Sequence, residues 1–271
     1  MYERLPIPSL LQGMVWHLQA DRRFYPRHRH RELELNLCVR GTAVYMVKRV
    51  RIEVHPKSLV WLFPAQPHQL IRRSNDYEMW IAVFKQPVVR EAASEPASAV
   101  LRKKDPPGIF CKTLPRAAAE WIEELMRDLQ TRKSVATLFN HGLSYALGRI
   151  WDSYQRAGLV PDAADVHPAV EKAAHLLARE SDSLNGSELA KACGLSRARL
   201  SHLFKEQMKI SLSDYRNRQR LERFFSYYRS GQRTTMLAAA LQAGFGSYAQ
   251  FHRVYRKIMG EFPRSAKLLI P

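Results

Sequence analysis

The sequence predicts an α+β chain of two domains: an N-terminal β-barrel followed by helices, and a C-terminal all-α domain that carries a helix–turn–helix unit twice. Three observations predict it. Residues 1–85 break into short alternating runs (MVWHL, ELELNLCV, AVYMVKRVRIEV, SLVWLF, EMWIAVF) separated by turn formers. Residues 116–156 switch to helical periodicity. Residues 184–259 state one pattern twice, fifty to fifty-one positions apart. The resulting boundaries are 1–115 for the barrel, 116–156 for connecting helices, 157–166 for a linker and 167–271 for the helical domain.

In the barrel, Gly41, Pro56–Lys57 and Ser74–Asn75–Asp76 mark the turns. One run carries chemistry. Leu33, Leu35, Leu37 and Val39 fall on odd positions, and His28, His30, Glu34 and Asn36 on even ones. Side chains alternate across a strand, so two imidazoles and a carboxylate project together from one face. That is what a metal site needs. Pro64-Ala65-Gln66-Pro67-His68 can add an imidazole from a neighbouring strand. Glu32 shares the parity without such a role, and RHRHRE is rich in His and Arg, so the same residues also read as the polar wall of a ligand pocket. Trp16, Tyr45, Trp61, Phe63 and Trp80 are candidates for its apolar lining, each also an ordinary core residue.

Residues 86–115 are rich in Pro, Ala and Ser, with a basic RKKD near Lys103, and read as loop plus a short helix. In 116–131, Ala118, Trp121, Ile122, Leu125, Met126 and Leu129 make one stripe. In 137–156, Leu138, Leu143, Ala146, Leu147, Ile150, Trp151 and Tyr154 make another. These helices pack on the barrel or on a second subunit, and the dimer is the favoured expectation. The linker AGLVPDAADVHP is marked by its prolines, glycine and aspartates.

In the repeat, Asn185 matches Thr235, Ala190 matches Ala240 and Gly194 matches Gly244. After the turn Leu200 matches Phe251 and Phe204 matches Tyr255, so the second turn holds one extra residue, Gly246. Asn185 and Thr235 read as N-caps, and Glu188 makes a capping box with Asn185. Gly194 and Gly244 supply the turn conformation that other residues resist. The following helices put Leu200, Leu203, Phe204 and Phe251, Val254, Tyr255 inward. Their outward residues are cationic or hydrogen-bonding, as a helix in a DNA major groove requires. A single copy also fits an ordinary helical hairpin with a solvated basic face.

GLSRARLSHLFKEQMKISLSDYRNRQRLER and AGFGSYAQFHRVYRKIMGEFPRS resemble the tandem DNA-binding domain of AraC/XylS-type bacterial transcription regulators, over roughly Val166 to Lys267. The resemblance implies seven helices, with a linking helix over about Leu212 to Arg229. It implies that Ala198, Ser201, His202 and Tyr248, Ala249, Gln250, Arg253 face base edges. Arg253 suits guanine and Gln250 adenine. Arg197, Arg199, Lys205, Arg256 and Lys257 suit phosphates. The Thr235–Ala243 helix departs from the family in its alanines, which implies weaker packing, and GEFPRSAK lacks the common final Tyr-Arg. The barrel motif, His28-x-His30-x-x-x-Glu34 and then six residues to Gly41, resembles the first motif of cupins. The second fits less well, because Gln66 stands for the usual Gly and His68 comes one residue early. By that resemblance His28, His30, Glu34 and His68 occupy the metal-ligand positions, where a divalent metal is one expectation and a small organic ligand without metal, as in many regulator cupins, is the other.

The formal charge of +18 calls for a polyanionic partner. From Val166 onward there are 18 basic and 8 acidic residues, so the excess is shared with the first domain rather than confined to the second. Three widely spaced cysteines imply no disulfide framework and fit a reducing cytoplasm. MYERLPIPSLL does not read as a signal peptide, and no run is long and apolar enough for a membrane span. The expected function is a ligand-responsive, sequence-specific DNA-binding transcription regulator and not an enzyme, acting as a homodimer on double-stranded DNA, with RNA polymerase as a partner if it activates. The competing readings are a cupin metalloenzyme carrying a DNA-binding domain, and a ligand-independent DNA binder.

Overall fold

The alternating runs form strands, and the strands form two antiparallel sheets. The computed structural model describes residues 2–19, 27–158, 163–179, 184–229, 234–260 and 262–263. One compact unit ends at Asp165 and a second begins at Val166. In the first unit the strands are β1 (Gly13–Gln19), β2 (Leu33–Arg40), β3 (Ala43–Val47), β4 (Val50–Val54), β5 (Ser58–Leu62), β6 (His68–Arg73), β7 (Glu78–Phe84), β8 (Cys111–Thr113) and β9 (Ala163–Asp165). One sheet runs β1-β7-β2-β5-β8 and the other β6-β3-β4-β9.

The pleat divides this unit into two cores. Between the sheets lie Cys38, Tyr45, Ile52, Val54, Val60, Leu62, Tyr77 and Met79. The other face of the five-stranded sheet carries Leu33, Leu35, Leu37, Trp61, Phe63, Trp80 and Phe84. Onto that face pack α1 (Gln86–Ala92), α2 (Arg116–Thr131) and α3 (Ala136–Arg156) through Val89, Ile122, Met126, Leu143, Leu147 and Ile150. Several expectations change here. The apolar stripes of α2 and α3 are spent within the chain, Leu138 excepted, because the outer face of the sheet would otherwise be bare. Trp61, Phe63 and Trp80 face those helices rather than a pocket with the histidines, since they sit on the helix side of their strands. Only Tyr45 of that group lies in the inter-sheet core, while Trp16 is half-buried opposite Ile81. Part of the expected linker is strand: Ala163–Asp165 pairs with Val50–Ile52.

The second unit contains, among its described residues, α4 (Pro168–Arg179), α5 (Gly186–Ala192), α6 (Arg197–Met208), α7 (Leu212–Arg229), α8 (Met236–Gln242) and α9 (Tyr248–Met259). The linking helix α7 takes the expected span. Most of GEFPRSAK lies outside the described residues. The inward alanines of this segment are not loosely packed: Ala239 and Ala240 of α8 and its C-cap Ala243 are fully buried against Phe224, Phe245, Phe251 and Tyr255, while Ala238 is exposed. Large aromatic rings fill the volume that small helix residues leave.

Candidate DNA interface and effector site

The two turns are built alike. Asn185 accepts hydrogen bonds from the Ser187 and Glu188 amides, and the Asn185 amide in turn donates to the Glu188 carboxylate at 2.7 Å. Thr235 accepts from the Ala238 amide at 3.1 Å. Each first helix ends with the same pair of bonds. Leu195 N–H donates to Ala190 O and Gly194 N–H to Lys191 O; Phe245 N–H donates to Ala240 O and Gly244 N–H to Leu241 O. These close the helix C-terminus through a residue at positive φ, and Gly194 and Gly244 adopt +71° and +95°. Leu195 and Phe245 occupy matching places, and Ser196 and Ser247 cap the next helices, so the extra residue is Gly246.

The second helix of each turn buries its apolar face, Leu200, Leu203, Phe204 and Met208 on α6 and Phe251, Val254, Tyr255 and Met259 on α9. What remains outside includes Arg197, Ala198, Arg199, Ser201, His202 and Lys205 on α6, and Tyr248, Ala249, Arg253, Arg256 and Lys257 on α9. Two expected contacts are already engaged. Gln250 is half-buried and its Oε1 accepts from the Gly246 amide at 2.8 Å, so it braces the longer turn, and a contact with adenine would share that oxygen's second lone pair. Lys257 Nζ lies 2.7 Å from Asp214 Oδ1 at the start of α7. Tyr248 donates to Met236 Sδ at 3.4 Å and remains 40% exposed.

In the first unit, β2 points Glu34 and Asn36 into the space between the sheets, and a bridge between His28 and His68 brings the imidazoles there. Nitrogens of His28, His30 and His68 all lie within 4.8 Å of one another. His30 Nε2 is 2.8 Å from Glu34 Oε2, and its Nδ1–H donates to Glu32 O. Asn36 Nδ2 donates to Glu34 Oε1 at 2.8 Å. Burial alone raises the Glu34 pKa, but the His30 hydrogen bond and the neighbouring imidazoles outweigh it and hold it at about 2. Burial likewise lowers His30, and Glu34 reverses it, so the His30 pKa ends above its ordinary value. Each partner therefore favours the charged form of the other, Glu34 as carboxylate and His30 toward imidazolium. Burial pulls His68 down to about 3. Its Nδ1–H donates to Gln66 O at 3.0 Å, which turns the Nε2 lone pair inward, 4.0 Å from Glu34 Oε2. His68 Nε2 and Asn36 Oδ1 are buried with no hydrogen-bond partner among the described residues. Two orphan polar atoms around one carboxylate mark a place where a ligand would be held.

Sequence reasoning missed several participants. Gln66, the departure from the cupin pattern, accepts from Phe63 N–H and donates to Asp105, and so shapes the turn before His68. Glu3 reaches the cluster from the N-terminal segment, 3.3 Å from His28 Nε2. Nothing local in the sequence signals a contact across that separation.

An AraC-like ligand binding domain model matches residues 17–148, and a helix-turn-helix domain model matches residues 189–267. The chain belongs to the AraC family of transcription regulators. It is thus a ligand-controlled, DNA-binding regulator, with its sensor unit first and its DNA unit second. No curated protein matches the sequence. Among solved structures, ToxT from Vibrio cholerae is 13% identical, with 96% of this chain and 98% of that chain covered and a TM-score of 0.37. An AraC-type DNA-binding domain from Chromobacterium violaceum is 25% identical over 37% of this chain and 90% of its own, at 0.34. The AraC-like activator CuxR is 13% identical, covering 88% and 83%, at 0.37. The family assignment rests on the two domain models, not on these distant likenesses. Among the described residues no helix is long and apolar enough to cross a membrane.

Proposed function

We propose that this AraC-family regulator reads a two-part DNA site through α6 and α9, and that an effector held between the sheets of the first unit controls the reading. The observation that carries the first half is paired presentation. Two helices at matching places in a repeat bury matching apolar faces and expose different polar sets, as readout of different base pairs requires. Ala198, Ser201 and His202 face one group of base edges, and Tyr248, Ala249, Gln250 and Arg253 the other. Arg197, Arg199, Lys205 and Arg256 contact phosphates, which positions the protein without specifying sequence. Lys257 joins them only by leaving Asp214. The protein works in the cytoplasm as a homodimer, and RNA polymerase becomes a partner if it activates. The outward face of α3 supports the dimer: Leu138 and Tyr145 are 47% and 58% exposed there, two turns apart. The test is binding of the full-length protein to DNA upstream of its own gene and to scrambled DNA, over a salt series. Preference that survives salt supports the reading, and equal binding that collapses with salt counts against it.

For the effector, the donor set at His28, His30, His68 and Glu34 fits a divalent transition ion. Imidazole suits such metals, and the Glu32 and Gln66 carbonyls already orient His30 and His68 through their Nδ1–H groups. A tetrahedral ion at ordinary Zn–N lengths would set the nitrogens roughly 3.4 Å apart, so the rings would have to close in. When bound, the ion would supply a positive charge able to hold an anionic oxygen ligand. One observation favours a metal-free polar pocket instead: Glu34 is already satisfied by His30 and Asn36. Equilibrium dialysis with metal analysis, on wild type and His68→Ala, separates the two. Stoichiometric metal lost in the variant selects the ion, and no metal in either selects the pocket.

A further inference from the structure

We propose that Arg223 is a positioning residue that fixes the distance and rotation between the two recognition helices. It rests on the reading of α6 and α9 as DNA-reading elements and adds what holds them in register.

Arg223 lies half-buried on α7, a helix that packs on α6 of the first copy of the repeat and on α8 and α9 of the second. Its Nη1 donates to Leu177 O at 3.1 Å, and its Nε donates to Ala243 O at 3.2 Å. Leu177 is in the last turn of α4, which packs on α6. Ala243 is the C-cap of α8, which packs on α9. One guanidinium therefore ties the C-terminal end of a helix in each half of the domain to the helix between them. The last carbonyls of a helix lack partners within it and carry the negative end of its dipole. A planar cation with several fixed donors satisfies two such ends at once, whereas a lysine is a single point charge on a flexible stem. One turn earlier on the same face, the Arg220 guanidinium lies 5.8 Å from the Phe245 ring centroid, against the corner of the second turn. The Asp214–Lys257 contact is a second strut between α7 and α9, but it is exposed and weakened by salt.

The consequence is a fixed operator geometry. Half-sites lie one turn apart, and each base pair advances the duplex by about 3.4 Å and about 35°. A clamped pair of helices cannot follow one inserted base pair, and a loosened pair can.

The test uses full-length wild type, Arg223→Lys and Arg223→Gln, with helix content checked by circular dichroism. Each protein selects from random-sequence DNA, and the bound fragments are sequenced for the spacing between the two half-motifs. The best wild-type site is then remade with one base pair inserted. Wild type should show a single spacing and lose about tenfold or more in affinity on insertion. The variants should show several spacings and lose less than about threefold. Folded variants that keep one spacing and the full penalty would overturn the clamp. So would a wild type that tolerates the insertion, which settles the matter even if both variants unfold. A wild type that enriches no two-part motif would instead sink the DNA reading, and the clamp with it.

Discussion

The two units keep their polar chemistry on opposite sides of their cores. In the DNA unit, α6 and α9 bury hydrophobic faces and leave Ser201, His202, Arg253 and Arg256 in water. In the sensor unit, β2 turns its leucines outward to the helices and its Glu34 and Asn36 inward, where His30 and His68 meet them. An exposed polar group costs little and is free to meet a large anionic partner. A buried one must be paired or be waiting for a ligand. The difference implies that substitutions in the sensor cluster act first on stability, and substitutions on the DNA face act on binding with the fold intact.

The largest expected effect is therefore at Glu34. Glu34→Gln removes the charge that holds the proton on His30, so the buried imidazole becomes neutral and the charge-assisted hydrogen bond, worth about 1.5–3 kcal/mol, is lost. The pH dependence has a defined sign. Glu34 has its pKa lowered from 4.5 to about 2, so its share of stability is complete above 4.5 and is lost as pH falls toward 2. His30 is raised above 6.5, so its share is complete below 6.5 and is lost as pH rises through the folded value. The gap in thermal stability between wild type and variant should be widest between these limits. A gap that is flat with pH would show that the pair is not ionised in the fold.

The same contrast explains what was legible in the sequence. A repeat with its functional residues on the surface can be read from periodicity alone: the caps at Asn185 and Thr235, the turn glycines and the extra Gly246 all stand where the pattern put them. The parity of β2 was legible too, because a strand has only two faces. What a strand faces was not. Trp61 and Trp80 are large and apolar on either reading, and only the packing of α2 and α3 decides that they line the outer core. Partners far apart in sequence, such as Asp214 with Lys257 or Arg223 with Leu177, leave no local mark.

A second prediction sharpens the contrast on the DNA face. Arg253→Ala should cost about 1–3 kcal/mol on the preferred sequence, relax selectivity at one position and leave thermal stability unchanged. Arg199→Ala should weaken binding alike on all sequences and reduce the salt slope by about 1. Fluorescence anisotropy on matched and scrambled duplexes distinguishes them. Equal losses on both duplexes for Arg253→Ala would move that residue from base reading to phosphate contact.

The smallest effect tests the two copies against each other. Asn185 accepts from two amides and is closed by Glu188, whereas Thr235 accepts from one, with Ala238 three residues on in place of a carboxylate. Replacing either with Ala removes the cap, worth about 0.5–2 kcal/mol. Asn185→Ala should fall near the upper end, because its side chain accepts from two amides that are both left without it, and Thr235→Ala, which frees one, near the lower end. The second copy has the aromatic cluster around Ala239, Ala240 and Ala243 to hold α8 in place without its cap. Equal losses in urea unfolding would mean that packing, not capping, sets the stability of both first helices. A larger loss at Thr235 would mean that the aromatic cluster depends on α8 beginning where it does.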